Sequence, residues 1–454
     1  MPPKRILIAN RGEIAVRIQR ACRQLGHQAI QVYSEADVST TAVQMADQSI
    51  CIGKPPSNKS YLNPIAILTA ARICAADAVH PGYGFLSERA DFAKLVTDEG
   101  LIFVGPSAES IALMGDKAVA RDMAKRAGVP TVPGSDGIVV DALEAERIAL
   151  KIGFPVLLKA SAGGGGRGMR VVQDSAFMQQ AFNEASIEAE NAFGDRSLYV
   201  EKYLLDPLHV EVQVLSDGDH VVTLGERDCS TQRRRQKLIE EGPSPAISEA
   251  LRQDLLSSSR RLAKAIGYRN AGTIEYVVKG NDFYFMEMNT RIQVEHPVTE
   301  VLTGIDLVAE QIEIAFGKTI DKSAVNIPSI GHVIECRINA ENPAENFRPS
   351  PGSILDLRFP GGPWVRVDSH CYPGYMVPPF YDSLIAKIIC WGRTRHEAIQ
   401  RSLCALSETS IGGIETNIEF LINILSCERF RSGGMHTQYV EREVSQLTQW
   451  RNPE

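Results

Sequence analysis

Apolar residues in the first quarter of the chain alternate between short continuous runs and positions at helical spacing. Arg5–Asn10 is a short apolar run, and Gly12–Leu25 carries apolar residues at helical spacing. Gly26 follows where a helix commonly ends, and Ala29–Tyr33 is a second apolar run. The alternation continues to about residue 114. This pattern predicts a small α/β domain with a parallel sheet.

The hydrophobic pattern changes twice further along the chain. Residues 131–203 form an α/β block, whereas residues 205–300 show the alternation typical of strands. The candidate strands of this stretch are His209–Leu215, Val221–Gly225, Gly272–Val278 and Phe283–Met288. From about residue 331 a new α/β unit begins with the apolar run His332–Asn339. We therefore predict three domains, at residues 1–114, 115–330 and 331–446.

Composition and charge indicate a globular protein whose main partner is not nucleic acid. The 454 residues suit about three domains of ~150 residues, and 44% hydrophobic with 23% charged residues is typical of a soluble globular protein. A net charge of -7 argues against nucleic acid as the main partner. The nine cysteines are scattered, which indicates buried reduced thiols. Without a signal peptide or a long apolar run, we expect a cytoplasmic protein with no membrane segment.

A glycine run follows a lysine at the end of an apolar run. Lys159 comes directly after Val156–Leu158, and the run consists of Gly163, Gly164, Gly165 and Gly166. Glycines have no Cβ, so their backbone N–H groups can approach phosphate oxygens. A flexible loop would have the same composition, but Lys159 favours a triphosphate ligand. The Gly-Lys-Ser/Thr end of a Walker A loop is absent.

The last two candidate strands of the β-rich stretch can form a hairpin that brings two acids together. If the connection Lys279–Asp282 centres on Asn281, Glu275 lies directly opposite Glu287. Like charges in such positions destabilise a sheet, and a bound divalent cation would reverse that penalty. With Asn289 on the same strand face, these are the oxygen ligands that Mg²⁺ prefers. The alternative is an exposed acidic pair on a solvent-facing hairpin.

Polar residues of one parity continue beyond this hairpin. They are Glu287, Asn289, Arg291, Gln293 and Glu295. An extended segment would place all five on one face, and Pro297 would end its pairing in a sheet. A solvated edge strand would alternate in the same way. The mixture of donors and acceptors beside a candidate metal pair favours an active-site face.

Other candidates are ambiguous by themselves. The basic run Arg227–Lys237 is typical of a solvated surface, but near a nucleotide site it could hold a small oxyanion. His209 could be an ordinary strand-end histidine, and the turn at Tyr83 and Gly84 could form a pocket wall. Arg337 lies in an apolar strand, where a guanidinium needs a partner.

Four motifs resemble those of biotin carboxylase, the subunit of acetyl-CoA carboxylase and its relatives. They are Ile8-Ala-Asn-Arg-Gly-Glu-Ile-Ala15, His80-Pro-Gly-Tyr-Gly-Phe-Leu-Ser-Glu88, Gly163-Gly-Gly-Gly-Arg-Gly-Met169 and Glu287-Met-Asn-Thr-Arg-Ile-Gln-Val-Glu-His-Pro297. The resemblance covers about residues 4 to 445. It implies an α/β protein with an ATP-grasp fold. A Rossmann-like parallel-sheet domain would come first, then the ATP-grasp domain with a mobile glycine-rich lid at about 131–203, and last a C-terminal biotin carboxylase domain.

The resemblance also implies roles for the candidate residues. Those that bind ATP would be Lys117, Lys159, Gly163, Gly164, Gly165, Gly166, Glu201, Lys202, Leu204, His209, Gln232, Gln236, Glu275 and Glu287. Those that bind Mg²⁺ or Mn²⁺ would be Glu275, Glu287 and Asn289. Bicarbonate would contact Lys237, Arg291, Gln293, Val294 and Glu295. Biotin would contact Tyr83, Gly84 and Arg337. The catalytic set would be Lys237, Arg291, Glu295 and Arg337, with Glu295 as the base that deprotonates bicarbonate.

The reaction implied by the resemblance has two steps. Bicarbonate attacks the γ-phosphate of ATP and gives carboxyphosphate and ADP. Carboxyphosphate then releases CO2 and phosphate, phosphate removes the N1′ proton of biotin, and biotin attacks CO2. Metals, lysines and arginines would stabilise the crowded negative charge, and lid closure would exclude water.

Partners are expected because two functions are missing from the sequence. The chain has no Ala-Met-Lys-Met type of biotin attachment site and no room for a carboxyltransferase. We therefore expect biotin to arrive on a separate carrier protein and a separate carboxyltransferase to use the product, as in fatty acid biosynthesis. The resemblance also implies a homodimer.

Three positions depart from the family pattern. Arg235 stands where relatives more often have histidine, Gly242 replaces a usual alanine, and Trp364 stands where glycine is common. The first would alter nucleotide or bicarbonate handling, and the last the dimer contact. None removes a residue with an expected chemical role.

Three other functions fit part of the pattern. Another ATP-grasp ligase, acting through an acyl phosphate, would share the lid and the metal pair but would not need Arg291 to Glu295 or Arg337. A non-catalytic nucleotide-binding regulator would be expected to have lost Lys237 or Glu295, and both are present. A dinucleotide oxidoreductase would need Gly-x-Gly-x-x-Gly in the first turn, which reads Asn10-Arg-Gly-Glu13.

Overall fold

The computed structural model describes residues 2–161, 169–320 and 329–449. The glycines expected to face phosphate, Gly163 to Gly166, lie outside the described residues. Among the described helices, none combines the length and the apolar character needed to cross a membrane.

The N-terminal region is built on a five-stranded parallel sheet, as predicted. Its strands are β1 (Arg5–Ile8), β2 (Gln28–Ser34), β3 (Gln48–Gly53), β4 (Ala78–His80) and β5 (Ile102–Phe103), in spatial order β3-β2-β1-β4-β5. Its helices are α1 (Gly12–Gln24), α2 (Thr41–Met45), α3 (Pro64–Ile73), α4 (Ala90–Asp98) and α5 (Ala108–Gly115). Ile14 and Ile18 of α1 are buried, so the helical spacing of apolar residues correctly indicated the packed face.

The next stretch forms a small antiparallel sheet covered by helices. It contains α6 (Lys117–Arg126), α7 (Ala142–Ile152), β6 (Val156–Ala160), β7 (Met169–Val172), α8 (Met178–Phe193) and β8 (Leu198–Lys202). The strand order is β7-β6-β8. Buried alanines at 145, 149, 185 and 189 pack against Val156 and Leu158. Lys159 and Glu201 have the opposite parity to the buried strand residues and are half-buried.

A long antiparallel sheet follows. Its first elements are β9 (Leu208–Asp217), β10 (Val221–Arg233), β11 (Gln236–Gly242), α9 (Glu249–Ala265), β12 (Arg269–Lys279), β13 (Asp282–Asn289), α10 (His296–Thr303) and α11 (Leu307–Ala315). The four strands expected between residues 209 and 288 are all present, although β9 and β10 are longer than the pattern indicated.

The C-terminal region contains short strands and helices around one long antiparallel pair, β14 with β21. Its strands are β14 (His332–Asn339), β15 (Glu341–Asn342), β16 (Arg348–Pro349), β17 (Gly352–Ser353), β18 (Asp356–Arg358), β19 (Val365–Ser369), β20 (Met376–Val377), β21 (Leu384–Gly392) and β22 (Ser410–Gly412). Its helices are α12 (Arg395–Glu408), α13 (Ile418–Ser426), α14 (Glu428–Arg431), α15 (Tyr439–Arg442) and α16 (Val444–Gln449).

The central and C-terminal strands belong to one sheet of eight strands, in the order β13-β12-β9-β10-β11-β14-β21-β19. β11 and β14 pair directly, with Glu240 opposite Glu335. Residue 331 therefore begins a new strand but not a new sheet. This continuity brings side chains from β9 to β14 onto one face.

The cysteines are only partly as expected. Cys22, Cys74, Cys229, Cys336, Cys390 and Cys427 are buried, but Cys51 and Cys404 are exposed. The scattered spacing indicated free thiols but could not distinguish interior from surface positions.

Candidate functional site

A large cavity lies where the three parts of the chain meet. Its volume is about 1490 Å³. It is lined by every candidate site residue that the structure describes: Tyr83, Gly84, Lys117, Lys159, Glu201, Lys202, Leu204, His209, Gln232, Gln236, Lys237, Glu275, Glu287, Asn289, Arg291, Gln293, Val294, Glu295 and Arg337. Residues more than 250 positions apart in the sequence therefore share one chamber.

Glu275 and Glu287 lie directly opposite each other in the β12–β13 hairpin. The sequence predicted this pairing correctly, although it placed the centre of the turn wrongly, on Asn281. Lys279 pairs with Asp282, so the turn centres between Gly280 and Asn281, and a bulge after Glu275 restores the register at that residue. Without that irregularity, Glu275 would face a different neighbour on β13.

This carboxylate pair fits a divalent cation. Burial and the nearby Glu275 raise the pKa of Glu287, so two anions here repel each other. A cation between them would remove that repulsion, and carboxylate oxygens are suitable ligands. Asn289 lies on the same hairpin and donates to Glu275 Oε1 at 2.8 Å, while its Oδ1 accepts from Arg291 at 3.0 Å. An amide oxygen has two lone pairs, so Asn289 Oδ1 could also face a metal while it accepts from Arg291.

The segment after Asn289 turns and does not continue as a strand. The expectation of one extended face is therefore wrong for residues beyond β13. Glu295 is the residue before α10, and Pro297 lies in the first turn of that helix, where its fixed φ is favourable. The turn nevertheless directs the polar side chains inward, since Gln293 Nε2 donates to Glu275 Oε1 at 2.8 Å.

Lys237 lies at the centre of three carboxylates. Its Nζ is 2.5 Å from Glu211 Oε2, 3.1 Å from Glu275 Oε1 and 2.5 Å from Glu295 Oε1. Burial opposes the charge of this ammonium, but the surrounding acidic groups hold the pKa of Lys237 well above its usual value. The ammonium therefore stays charged and lies between the candidate metal pair and Glu295.

Arg227 forms the floor beneath this group. It is fully buried, and its guanidinium donates to Glu211 at 2.6 Å, to Gln213 at 2.9 Å and to Gln293 at 2.9 Å. The solvated-surface interpretation of the basic run is therefore wrong at Arg227 and correct only around the exposed turn at Arg234. Glu211 and Arg227 were missed as site residues. The only signals were a single acid between valines at Glu211 and the start of the basic run at Arg227.

Arg337 pairs with two carboxylates on the neighbouring elements. Its Nε donates to Glu240 Oε1 at 2.6 Å, and its Nη2 donates to Glu295 Oε2 at 2.9 Å. Glu335 and Glu341, the acids nearest to Arg337 in the sequence, do not form ion pairs with it. Burial favours the protonated form of Glu295, but Lys237, Arg337 and Arg227 hold its pKa well below the usual range. Glu295 is therefore an ionised carboxylate facing the cavity.

The opposite end of the cavity is lined by the small sheet. Lys159 forms an ion pair with Glu201, which also binds Arg121 at 2.7 Å. Lys202 donates to the backbone oxygens of Gly153 at 2.8 Å and of Phe154 at 3.0 Å. All three cations line the cavity, and all three have partners here: Lys159 and Arg121 pair with Glu201, and Lys202 binds backbone oxygens. Arg121 was not anticipated from the sequence.

His209 and Gln232 connect the two ends. His209 Nε2 is 3.0 Å from Glu275 Oε2, and Gln232 Nε2 is 3.4 Å from His209 Nδ1. His209 is therefore part of the polar layer over the carboxylate pair, which favours the functional interpretation over that of an ordinary strand-end histidine. Lys117, Leu204 and Gln236 complete the lining.

Tyr83 forms a fixed wall on the N-terminal side. Its hydroxyl donates to Glu13 Oε1 at 2.5 Å, and its backbone oxygen accepts from Asn10 at 2.7 Å. Gly84 follows with φ +68°, a conformation that other residues rarely adopt. The turn is thus held by side chains from the end of β1 and the start of α1.

The three departures lie at different distances from the cavity. Arg235 is exposed at its rim. A Cβ on Gly242 would approach Leu302 Cδ1 to 2.8 Å, so the backbone there is packed against α10. Trp364 is 62% exposed and its ring lies 4.7 Å from that of Trp391, outside the cavity.

Family models cover nearly all of the chain. Residues 2–111 match "Biotin carboxylase, N-terminal domain", residues 116–323 match "Carbamoyl-phosphate synthase L chain, ATP binding domain", and residues 335–442 match "Biotin carboxylase C-terminal domain".

Curated relatives match over nearly their full length. Biotin carboxylase 1 of Bacillus subtilis is 53% identical over 441 residues, which is 96% of this chain and 98% of the relative. Biotin carboxylase of Haemophilus influenzae is 53% identical over 443 residues, 97% of this chain and 99% of the relative.

Solved structures agree in fold. The biotin carboxylase of Campylobacter jejuni, in a β,γ-ATP complex, is 48% identical with a TM-score of 0.90 and covers 97% of this chain and 98% of its own. The biotin carboxylase domain dimer of Hydrogenobacter thermophilus 2-oxoglutarate carboxylase, with MgADP, ADP and bicarbonate, is 47% identical with a TM-score of 0.90 and covers 99% of both chains.

Proposed function

We propose, since this chain belongs to the biotin carboxylase family, that its large cavity is the site where ATP, bicarbonate and biotin react. The protein is a ligase that uses ATP and bicarbonate to carboxylate biotin. The single observation that carries the assignment of residues is the contact group of Lys237, Glu295 and Arg337. It joins a charged ammonium, an ionised carboxylate and a guanidinium within one chamber.

The first step requires a base and an anion site. In the proposed mechanism, Glu295 takes the proton of bicarbonate, and the bicarbonate oxygen attacks the γ-phosphorus of ATP while ADP leaves. Lys237 and Arg291 hold the bicarbonate against repulsion from the phosphates. Gln293 and the backbone of Val294 orient it. The ionised state of Glu295 in this structure is the state that a base needs.

The nucleotide would bind at the end of the cavity that is lined by the small sheet. Lys117, Lys159 and Lys202 would face the phosphates, and the same role for Gly163 to Gly166 is proposed from the resemblance alone. Glu201, Leu204, His209, Gln232 and Gln236 would line the rest of the nucleotide site. Glu275, Glu287 and Asn289 would hold Mg²⁺ or Mn²⁺, which when bound neutralises phosphate charge. The repulsion between Glu275 and Glu287 supports this assignment.

The second step uses the opposite wall. Carboxyphosphate breaks into CO2 and phosphate, and phosphate takes the N1′ proton of biotin as N1′ attacks CO2. Arg337 would stabilise the negative charge that develops on the ureido oxygen. Tyr83 and Gly84 would form the wall against the ureido ring. Arg337 is 2.9 Å from Glu295, so the proposed oxyanion ligand adjoins the proposed base.

The partners and the cellular setting follow from this chemistry. Biotin would arrive on a separate biotin carboxyl carrier protein, and a separate carboxyltransferase would pass the carboxyl group to acetyl-CoA or a related acyl-CoA, as in fatty acid biosynthesis. We also propose a cytoplasmic homodimer. The Hydrogenobacter thermophilus relative, whose biotin carboxylase domain was solved as a dimer, supports the oligomeric part of this proposal.

The proposed assignment is tested by phosphate release from ATP in a purified sample. Release should require both bicarbonate and Mg²⁺ or Mn²⁺, and it should rise when free biotin is added. Phosphate release at the same rate with and without bicarbonate would instead favour another ATP-grasp ligase. No ATP turnover under any of these conditions would favour a nucleotide-binding regulator.

A further inference from the structure

Lys387 is a fully buried cation that contacts two other parts of the chain. It lies on β21, and its Nζ donates to the backbone oxygen of Val294 at 2.7 Å. The same Nζ is 3.1 Å from Glu13 Oε1, near the start of α1. A single ammonium therefore links strand β21, the turn before α10 and the N-terminal region.

Glu13 extends this link to the biotin wall, which is the part of the cavity formed by Tyr83 and Gly84. Its Oε1 accepts the Tyr83 hydroxyl at 2.5 Å as well as the ammonium of Lys387. Glu13 is buried, so both contacts form where water does not compete with them. Tyr83 and Val294, from different walls of the cavity, are thereby connected through two side chains.

Lys387 lies between a cation and an anion of its own sheet. It lies directly opposite Arg337 on β14, which repels it, and directly opposite Asp368 on β19, which attracts it. A buried lysine also loses hydration that an apolar side chain would not need. Asp368 offsets the charge within the sheet, whereas the contacts with Val294 and Glu13 reach two residues that line the cavity and point to a further role at the site.

We infer that Lys387 and Glu13 are positioning residues that fix the distance between the bicarbonate turn at Val294 and the biotin wall at Tyr83. The inference rests on the proposed function, which assigns those two walls. Carboxyphosphate or CO2 formed at one wall must reach biotin at the other before it is lost to water. A displacement of about 1 Å can cost on the order of 100-fold in rate.

The test compares phosphate release with carboxybiotin formation in the same samples, using free biotin. Lys387→Met removes the ammonium, and Glu13→Gln removes the charge with little change in volume. Both should release more phosphate per carboxybiotin, with the ratio rising on the order of 10-fold or more. The KM for biotin should rise while the KM for ATP stays near its wild-type value.

The double variant and a matched control separate positioning from general damage. If Lys387 and Glu13 act as one unit, the double variant should be no worse than the poorer single variant. Arg395→Met is the control, because Arg395 at the start of α12 forms an ion pair with Glu241 of β11 at 2.6 Å, which also joins separate elements but lies away from the cavity. Its ratio of phosphate to carboxybiotin should stay at the wild-type value.

Tyr83→Phe keeps the test decisive if Lys387→Met does not fold. It removes only the hydroxyl that binds Glu13, and it should raise the ratio in the same direction as Glu13→Gln. Parallel loss of both products in folded Glu13→Gln and Tyr83→Phe, or additive effects in the double variant, would overturn the inference. A wild-type protein that forms no carboxybiotin would instead overturn the proposed function.

Discussion

Arg337 and Glu295 form an ion pair at 2.9 Å, which joins the proposed biotin ligand to the proposed base. Glu240, fully buried on β11, holds the other side of the Arg337 guanidinium. The two half-reactions therefore share a residue, and changes at Arg337 should affect them unequally.

Arg337→Ala should lose carboxybiotin formation far more than bicarbonate-dependent ATP hydrolysis. Charge develops on the ureido oxygen only as biotin is deprotonated, so the loss should be on the order of 10²–10³ in turnover. Phosphate and carboxybiotin measured side by side check this. Arg337→Lys, which keeps a charge, should recover part of the loss. Equal loss of both products together with a lower melting temperature would leave Arg337 with a structural role only.

The same substitution should alter the pH dependence of the first step. Burial favours protonated Glu295, and Lys237, Arg337 and Arg227 oppose this and depress its pKa. A base must be ionised, so activity falls as the pH drops through its pKa. Without Arg337 that pKa rises, and the acid limb of kcat/KM for bicarbonate should move to higher pH. An acid limb at the wild-type pH would show that another group controls it.

Glu287→Gln should lower activity mainly by weakening the binding of Mg²⁺ or Mn²⁺. A neutral amide is a poorer Mg²⁺ ligand than a carboxylate. The Mg²⁺ concentration for half-maximal ATP hydrolysis should rise at least on the order of 10-fold, the scale seen when even outer partners of a metal are lost. Asp282→Asn, on the exposed turn of the same hairpin, is the control and should leave the metal dependence unchanged. A defect that excess Mg²⁺ or Mn²⁺ never relieves would contradict the metal assignment.

Arg227→Met should destabilise the fold strongly. Its removal breaks a fully buried ion pair with Glu211, leaving Lys237 as the remaining cation there, and takes the donor from Gln213 and Gln293, which costs about 3–5 kcal/mol. Urea unfolding followed by circular dichroism measures the change in the free energy of unfolding. Arg393→Met, which removes the exposed ion pair of Arg393 with Glu397, should unfold at the wild-type urea concentration. Similar unfolding of Arg227→Met and the wild type would contradict the buried-network interpretation.

The β12–β13 hairpin shows which structural features could be predicted from the sequence and which could not. Alternation along β12 and β13 predicted both strands and the Glu275–Glu287 pair. It could not predict the bulge, because an irregularity of one residue depends on how the neighbouring strand packs. Two errors, the turn centre and the missing bulge, cancelled at the residue that matters for metal binding.

The ion-pair partners of the buried charged residues could not be predicted from the sequence pattern, for a different reason. Glu240 and Arg337 are 97 positions apart, and only the pairing of β11 with β14 brings them together. Glu211 lies between valines in β9 and Arg227 lies between two acids in β10, and neither pattern gives a sign of the partner. The family resemblance supplied the cavity-lining residues, whereas the buried charges that hold them required the three-dimensional arrangement.

The shared sheet also bears on attempts to divide the polypeptide. A fragment starting at residue 331 would carry β14 with one edge bare, having lost β11, and an unpaired edge of this kind readily recruits other chains. Splitting the gene there should yield two aggregating halves. A cut in the solvent-facing turn Gly280–Asn281 would be no milder, because it would separate β13 from β12 as well as β14 from β11.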